Sequence, residues 1–348
     1  MKQIRLILGI AVIVIVVGIV AVLIFRDRGT ESTETEETPA TNAGPASIEA
    51  ENIKYTESKE GKVIWEIEAG SAEFYKEEER TEFDKIKVTF FYQDEYQLKL
   101  SGDKGILNND TKNIVIKDNV FLEFAEKYRL ETNSLNYTTE TDEIITEDPV
   151  AVTGPDVNFT GKGLTFNLSN EELFVNSDVV ADFTKAEDET DKDKKKKEKK
   201  ENIRGFEDAS SLESPLHIRS GGFYGNRKGS YIRFNKGAHV TYEESTLNAG
   251  TITVYFNSKE GGVSKIEAAG NVKLKQKDMN ATCGRLLFDY EKNKLFLTKN
   301  PVIWRGEDMV KGDEITYDLT TSKSVVTAGK ENRAHLTIYP KQEEEEEF

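Results

Sequence analysis

An all-β fold is the expectation for this sequence, on three grounds. Apolar residues alternate at a period of two over most of the chain, the mark of strands with one buried face. The alternating stretches recur about every thirty residues. The composition is rich in Thr, Val, Ile, Tyr and Phe and holds only 3 Met, which suits strands.

The clearest stretch runs from Met279 to Arg305. Its apolar residues alternate as Met279, Ala281, Cys283, then Leu286, Phe288, Tyr290, then Leu295, Leu297, then Val302, Trp304. Turn-prone breaks fall at Cys283-Gly284-Arg285, at Glu291 to Lys294 and at Lys299-Asn300-Pro301. The same alternation sets Val63, Trp65, Ile67 against Glu66, Glu68, and Leu164, Phe166, Leu168 against Thr165, Asn167. It also sets Ile252, Val254, Phe256 against Thr251, Thr253.

From the N-terminus, Leu6 to Phe25 is an uninterrupted apolar run. At about 1.5 Å per residue it is long enough to cross a hydrocarbon core of about 30 Å. It exceeds a typical signal-peptide core and lacks a clear cleavage site. Lys2 and Arg5 precede it, so residues 1–28 are read as a cytoplasmic N-terminus and membrane anchor, with the rest on the far side. Residues 29–46 are rich in Glu, Thr, Pro and Ala and read as a flexible tether.

Beyond the tether each unit opens on a small apolar residue after a polar or turn-forming break. These openers are Val88, Val120, Val150, Val179, Ala238, Val272, Val302 and Ala334, at spacings of 32, 30, 29, 59, 34, 30 and 32. Such a period indicates stacked units, none able to bury its own face alone. The spacing of 59 is one unit plus the charged insertion Ala186 to Glu201. That insertion reads either as a solvated linker or as a basic patch for anionic head groups. The division expected is a first block over 47–184, a linker over 185–211, a second block over 212–340 and an acidic tail over 341–348.

A net charge of −16 and a pI near 4.9 argue against a general nucleic-acid binder. Cys283, the sole cysteine, excludes a disulfide framework and a cysteine zinc site, and its place in an alternating strand makes it a core residue. His217, His239 and His335 are scattered, no nucleophile–base pair suggests itself and no glycine-rich phosphate loop is present. No catalytic residue, metal or cofactor is therefore expected.

The anchor, the tether and Gly61-Lys62-Val63-Ile64-Trp65-Glu66-Ile67-Glu68-Ala69 together resemble the start of LptC, the membrane-anchored component of lipopolysaccharide export. Leu98 to Gly105 and Ile145 to Val150 are similar to it as well. In the second block, Leu247-Asn248-Ala249-Gly250, Ala269-Gly270-Asn271-Val272 and Lys311 to Tyr317 resemble the LptA/OstA domain of the periplasmic bridge. The order is that of a natural fusion of the two.

This resemblance implies two tandem open, twisted β-jelly rolls, with acyl chains held in an apolar groove between sheets. It also implies lipopolysaccharide as cargo, passed along a head-to-tail bridge from inner to outer membrane. An inner-membrane ABC transporter would supply the energy. Further LptA-like subunits or an LptD-type outer-membrane translocon would join by β-strand augmentation. The groove residues expected are Trp65, Ile67, Phe74, Phe90, Leu100, Ile116, Phe124 and Phe166 in the first block. In the second they are Val254, Phe256, Leu274, Phe288, Leu297, Trp304 and Tyr317, with contact to lipid expected near the middle of the sheets. Alternation alone does not separate a groove from a filled sandwich. A membrane-tethered β-repeat scaffold without lipid cargo is the other reading.

Overall fold

The computed structural model describes residues 47–59, 61–92, 96–124, 128–155, 157–184, 214–257, 263–318, 320–321, 323–328 and 333–337. The apolar run Leu6 to Phe25, the tether, the linker and the acidic tail lie outside the described residues. Among the described residues there is no α-helix, and none is long and apolar enough to cross a membrane.

The first segment is a ladder of long strands. They are β1 (Ser47–Lys59), β2 (Lys62–Tyr75), β3 (Arg80–Tyr92), β4 (Tyr96–Asn108), β5 (Ile114–Phe124), β6 (Tyr128–Thr138), β7 (Glu143–Thr153), β8 (Val157–Asn167) and β9 (Glu172–Phe183). The second segment begins with β10 (Leu216–Asn226) and β11 (Tyr231–Tyr242). The short pair β12 (Ser245–Ala249) and β13 (Thr251–Phe256) follows, then β14 (Val263–Gln276) and β15 (Met279–Asp289). Short strands close the chain: β16 (Lys294–Thr298), β17 (Val302–Arg305), β18 (Asp308–Lys311), β19 (Glu314–Asp318), β20 (Lys323–Thr327) and β21 (His335–Thr337). Every pairing is antiparallel.

The breaks that the sequence suggests as ends of strands are mostly bends inside them. The register shifts between Lys117 and Val120 in β5, where Asp118 and Asn119 both take positive φ (61° and 50°). Lys236-Gly237, Gly270-Asn271 and Lys299-Asn300 are further consecutive pairs with positive φ. Asn, Asp and Gly tolerate this left-handed conformation best, and an extra residue bends and twists the strand. Long strands such as β5, β11 and β14 are thereby divided into two arms. The short strands make this visible: β13 pairs the first arm of β11 (Tyr231–Phe234) and β12 pairs its second arm (Ala238–Tyr242).

The arms form two wings folded face to face. Wing A holds segments such as Ser71–Tyr75, Leu164–Asn167 and Thr251–Phe256, and wing B holds Trp65–Ala69, Val157–Thr160 and Ser245–Ala249. Contacts across the interior join them: Phe159 of wing B meets Phe223 of wing A edge-on at 5.5 Å, and Phe90 meets Tyr137 at 4.7 Å. Packing is close at the fold line. A Cβ added to Gly105 would lie 2.3 Å from Cδ1 of Ile86. Gly105→Ala is therefore expected to cost about 1–3 kcal/mol by overpacking, measured by denaturant unfolding.

The two segments are one sheet. β9 and β10 pair antiparallel in both wings, with Val175 opposite Phe223 in wing A and Phe183 opposite Leu216 in wing B. Side chains reinforce the seam. Glu172 accepts hydrogen bonds from the Tyr224 hydroxyl (2.6 Å) and from Asn226 Nδ2 (2.9 Å). Lys228 and Lys236 donate to the carbonyls of Ser169 and Asn176 at 2.7 and 2.9 Å. One apolar cluster runs from Tyr128 and Phe159 through Phe183 and Leu216 to Ile315, so the core does not stop where the linker interrupts the chain.

The outer face is polar and paired. Arg285 holds Glu267 through two hydrogen bonds, at 2.8 and 3.1 Å. This bond, ahead of the opposing effect of burial, keeps the Glu267 carboxyl below its usual range. The stabilisation is complete above the unfolded-state value near about pH 4.3 and is lost as pH falls through the depressed native value. With Arg285 partly exposed, Arg285→Gln is expected to cost only about 0.5 kcal/mol at neutral pH. The difference from wild type should shrink in unfolding curves as pH is lowered below about 4.3.

Candidate lipid groove and its rims

Hairpin connections alternate between two rows. One row, including residues 76–79, 109–113, 139–142, 168–171 and 227–230, edges wing A; the other, including 154–155, 243–244, 277–278 and 306–307, edges wing B. The mouth of the folded sheet lies between these rims. Register decides which side chains face it, because directly opposed residues on antiparallel strands share a face.

The interior midline is filled. Trp65, Ile67, Phe90, Leu100, Ile116, Val254, Leu274, Phe288 and Leu297 all face inward and are buried. They belong to the two buried apolar clusters, so side chains occupy the middle of the interior. The inward residues with solvent access lie nearer the rims. Phe74, Phe166, Phe256 and Tyr317 are half-buried, each aligned with inward partners such as Leu107, Ile144, Val263 and Leu295. Phe124 belongs to β5, but its side chain lies outside the described ones.

Trp304 is a correction. It stands opposite Asn280 and Met309, while Ala281 stands opposite Ile303 and Ile303 opposite Val310. Ile303, not Trp304 or Val302, continues the inner face. Lys299 and Asn300 form the left-handed pair, as Asp118 and Asn119 do before Val120. The inward slot after the bend is therefore taken by Pro301, which is buried. Counting Pro301 as part of the break displaced the alternation by one residue.

Two apolar clusters fill the interior, and Leu122 and Phe166 pack against both while remaining partly exposed. Phe166, between Ile144 and Leu173 on the neighbouring strands, marks the seam between the clusters at the wing A rim. Leu122, Val152, Leu173 and Leu295 add further half-buried apolar surface along the mouth. At the N-terminal end a cavity of about 160 Å³ opens between β1 and its neighbours, lined among others by Ile48, Ile53, Tyr55, Phe74, Phe83 and Leu107. Sequence reading picked out only Phe74 among these. Ile48, Ile53 and Tyr55 sit in β1 and Phe83 in β3, strands whose alternation is broken at Asn52 and Lys85, both with positive φ.

The two ends of the ladder expose apolar side chains. Ile48 on β1 is 53% exposed, Val325 on β20 56% and Leu336 on β21 65%. Among the described residues, the outer edges of these strands pair with nothing. An unpaired edge presents backbone donors and acceptors to an added strand.

Cys283 faces the interior from β15 and is buried. Burial pushes its thiol up to about 11. Alkylation by iodoacetamide at pH 8 is therefore expected to be slow in the folded protein and complete after denaturation, as read by mass spectrometry. Among the described residues there is no group of His, Cys, Asp and Glu that could hold a metal ion.

A folded antiparallel sheet whose apolar core runs through the β9–β10 seam, with unpaired end strands, defines an all-β protein of two segments in one sheet. Comparison with known proteins places it more narrowly. The LptC-related lipopolysaccharide-assembly family matches residues 11–183, and the LptA/(LptD N-terminal domain) LPS transport protein family matches residues 217–323. The chain thus carries an LptC-like segment followed by an LptA-like one. The two matches flank the β9–β10 seam, ending at Phe183 and beginning at His217. The lipopolysaccharide export system protein LptA of Escherichia coli K12 is 22% identical over 147 residues, covering 40% of this chain and 80% of that protein. LptA of Shigella flexneri gives the same identity and coverage. Among solved structures, LptH, the LptA-homologous periplasmic component of the lipopolysaccharide transport device of Pseudomonas aeruginosa, aligns with a TM-score of 0.32 and 15% identity. That alignment covers 38% of this chain and 99% of LptH.

Proposed function

We propose that this chain carries lipopolysaccharide from the inner toward the outer membrane, with acyl chains seated between the two wings and the sugar portion outside the mouth. The observation that carries this reading is the continuity of the apolar interior through the β9–β10 seam. An acyl chain moving from the LptC-like to the LptA-like segment then meets no polar gap, at a saving of about 0.8 kcal/mol for each CH₂ kept from water. Because the midline is filled, loading requires the wings to part at the rims. The half-buried side chains there are the first contacts for lipid.

The run Leu6 to Phe25 serves as a single-pass inner-membrane anchor, with the bulk of the chain in the periplasm. The β1 edge joins the membrane transporter, and the β20 and β21 edges accept a strand from a further LptA-like subunit or an LptD-type translocon. Joining both segments in one chain raises the effective concentration of each for the other.

The filled midline favours a second reading, a tethered scaffold with no cargo. Mass spectrometry of the full-length protein after mild extraction separates the two. Co-purifying lipopolysaccharide in near-stoichiometric amount is the result expected of a carrier. Its consistent absence from a folded preparation would favour the scaffold.

A further inference from the structure

The connection between β4 and β5 places Lys112 at the wing A rim. Its backbone is fixed from both sides, donating to the Asn108 carbonyl at 2.9 Å and accepting from the Thr139 hydroxyl at 2.8 Å. From there Lys112 reaches across the mouth. Its ammonium donates to the Tyr55 hydroxyl at 3.1 Å and stands 3.9 Å from the Glu57 carboxylate. The Tyr55 hydroxyl in turn donates to Glu57 at 3.2 Å. Glu57 is on the inner face of β1, opposite buried Trp65. A carboxylate at an inward position is out of keeping with the rest of that face, which is apolar at Ile53, Tyr55, Ile67 and Trp65.

Tyr55 belongs to two environments at once. Its ring lines the apolar cavity with Ile48, Ile53, Phe74, Phe83 and Leu107, while its hydroxyl bonds Lys112 and Glu57. A cavity of about 160 Å³ with such a lining holds a hydrocarbon of roughly benzene size, as a dry apolar cavity of about 150 Å³ does elsewhere. Beneath Tyr55, at 5.6 Å between ring centres, lies Trp65, whose indole N–H is buried and has no acceptor among the described residues. A buried donor left unpaired is unfavourable, and a ligand oxygen arriving beside Tyr55 is one way to satisfy it. The bond to Tyr55 raises the Lys112 pKa, so the ammonium stays charged at neutral pH.

We propose that this corner is an entry site for the end of an amphiphile with an anionic head, the hydrocarbon in the cavity and the acid group on Lys112. Glu57 occupies the position of that acid group and holds the wings together through Lys112. An incoming phosphate or carboxylate displaces it. This inference rests on the lipid-carrier reading and adds to it a head-group selection at the N-terminal end of the mouth.

The test uses the full-length chain in amphipol, carrying Trp304→Phe so that Trp65 is the one fluorescent tryptophan. Octyl phosphate and octanol are titrated, both below micelle formation. Octyl phosphate is expected to bind about tenfold more tightly than octanol, the equivalent of one charge-assisted hydrogen bond. Lys112→Met should erase that preference. Glu57→Gln should tighten octyl phosphate severalfold and leave octanol unchanged. Equal affinity for the two probes in the parent, no binding of either, or a preference that survives Lys112→Met would overturn the proposal. A photo-reactive residue at Phe166, far along the mouth, keeps the readings apart. Lipid captured there in cells while the octyl probes show no charge preference sinks only the entry site; no capture there sinks the carrier itself.

Discussion

Phe183→Ala is expected to lower stability by about 3–5 kcal/mol, the usual cost of deleting a fully buried ring from a core that cannot collapse. Phe183 is 0% exposed. It stands opposite Val157 on one side and Leu216 on the other, at the last pair before the linker. Its ring therefore belongs to both segments, and its loss leaves a void on the seam. Denaturant unfolding of the full chain should show the midpoint fall as a single transition, because the segments share one sheet and one core. Phe174→Ala, on the outer face and 39% exposed, is the control. It loses a ring contact with Tyr224 at 4.7 Å and should cost no more than about 1 kcal/mol.

Phe166→Glu is expected to stop lipid passage while leaving the fold intact. Phe166 is half-buried, so a carboxylate there retains access to water and the sheet survives. A charge at the junction of the two apolar clusters, however, faces every acyl chain moving along the mouth. Desolvating it without a partner costs several kcal/mol, enough to reduce delivery of lipopolysaccharide to the outer membrane by well over about tenfold. Phe166→Leu keeps the surface apolar and should preserve delivery. Export is read from pulse-labelled lipopolysaccharide in cells that depend on the variant. Normal export with Phe166→Glu would remove the mouth from the path.

The strands were legible in the sequence because each carries its own two-residue rhythm, and the openers Val88, Val120, Val150, Val179, Ala238 and Val272 are all buried. What period alone does not reveal is whether a polar break ends a strand or bends it. Asp118-Asn119 and Lys236-Gly237 have turn chemistry, yet hydrogen bonding resumes one residue later and the strand continues into the other wing. The Trp304 reading failed for the same reason, since one residue more or less in a bend exchanges the faces. The β9–β10 pairing was also out of reach. A charged stretch of that length reads as a separator, and only the facing registers of Val175 with Phe223 and Phe183 with Leu216 show the sheet continuing past it.

The inner face was legible as a set of apolar residues, but not as a division between sealed and open positions. Phe90 and Phe166 look alike in sequence. Phe90 is closed off by Tyr137 across the interior, whereas Phe166 sits at the seam. The cluster of Lys112, Tyr55 and Glu57 was invisible because Lys112 lies 57 positions from Tyr55 along the chain and meets it only across the mouth.

Site-specific photocrosslinking to lipopolysaccharide in living cells tests the central claim most directly, with the reactive group placed at Phe166 on the inner face and at Trp304 on the outer face. The account predicts strong capture at 166 and none at 304. Capture at both positions alike, or at 304 alone, would contradict it.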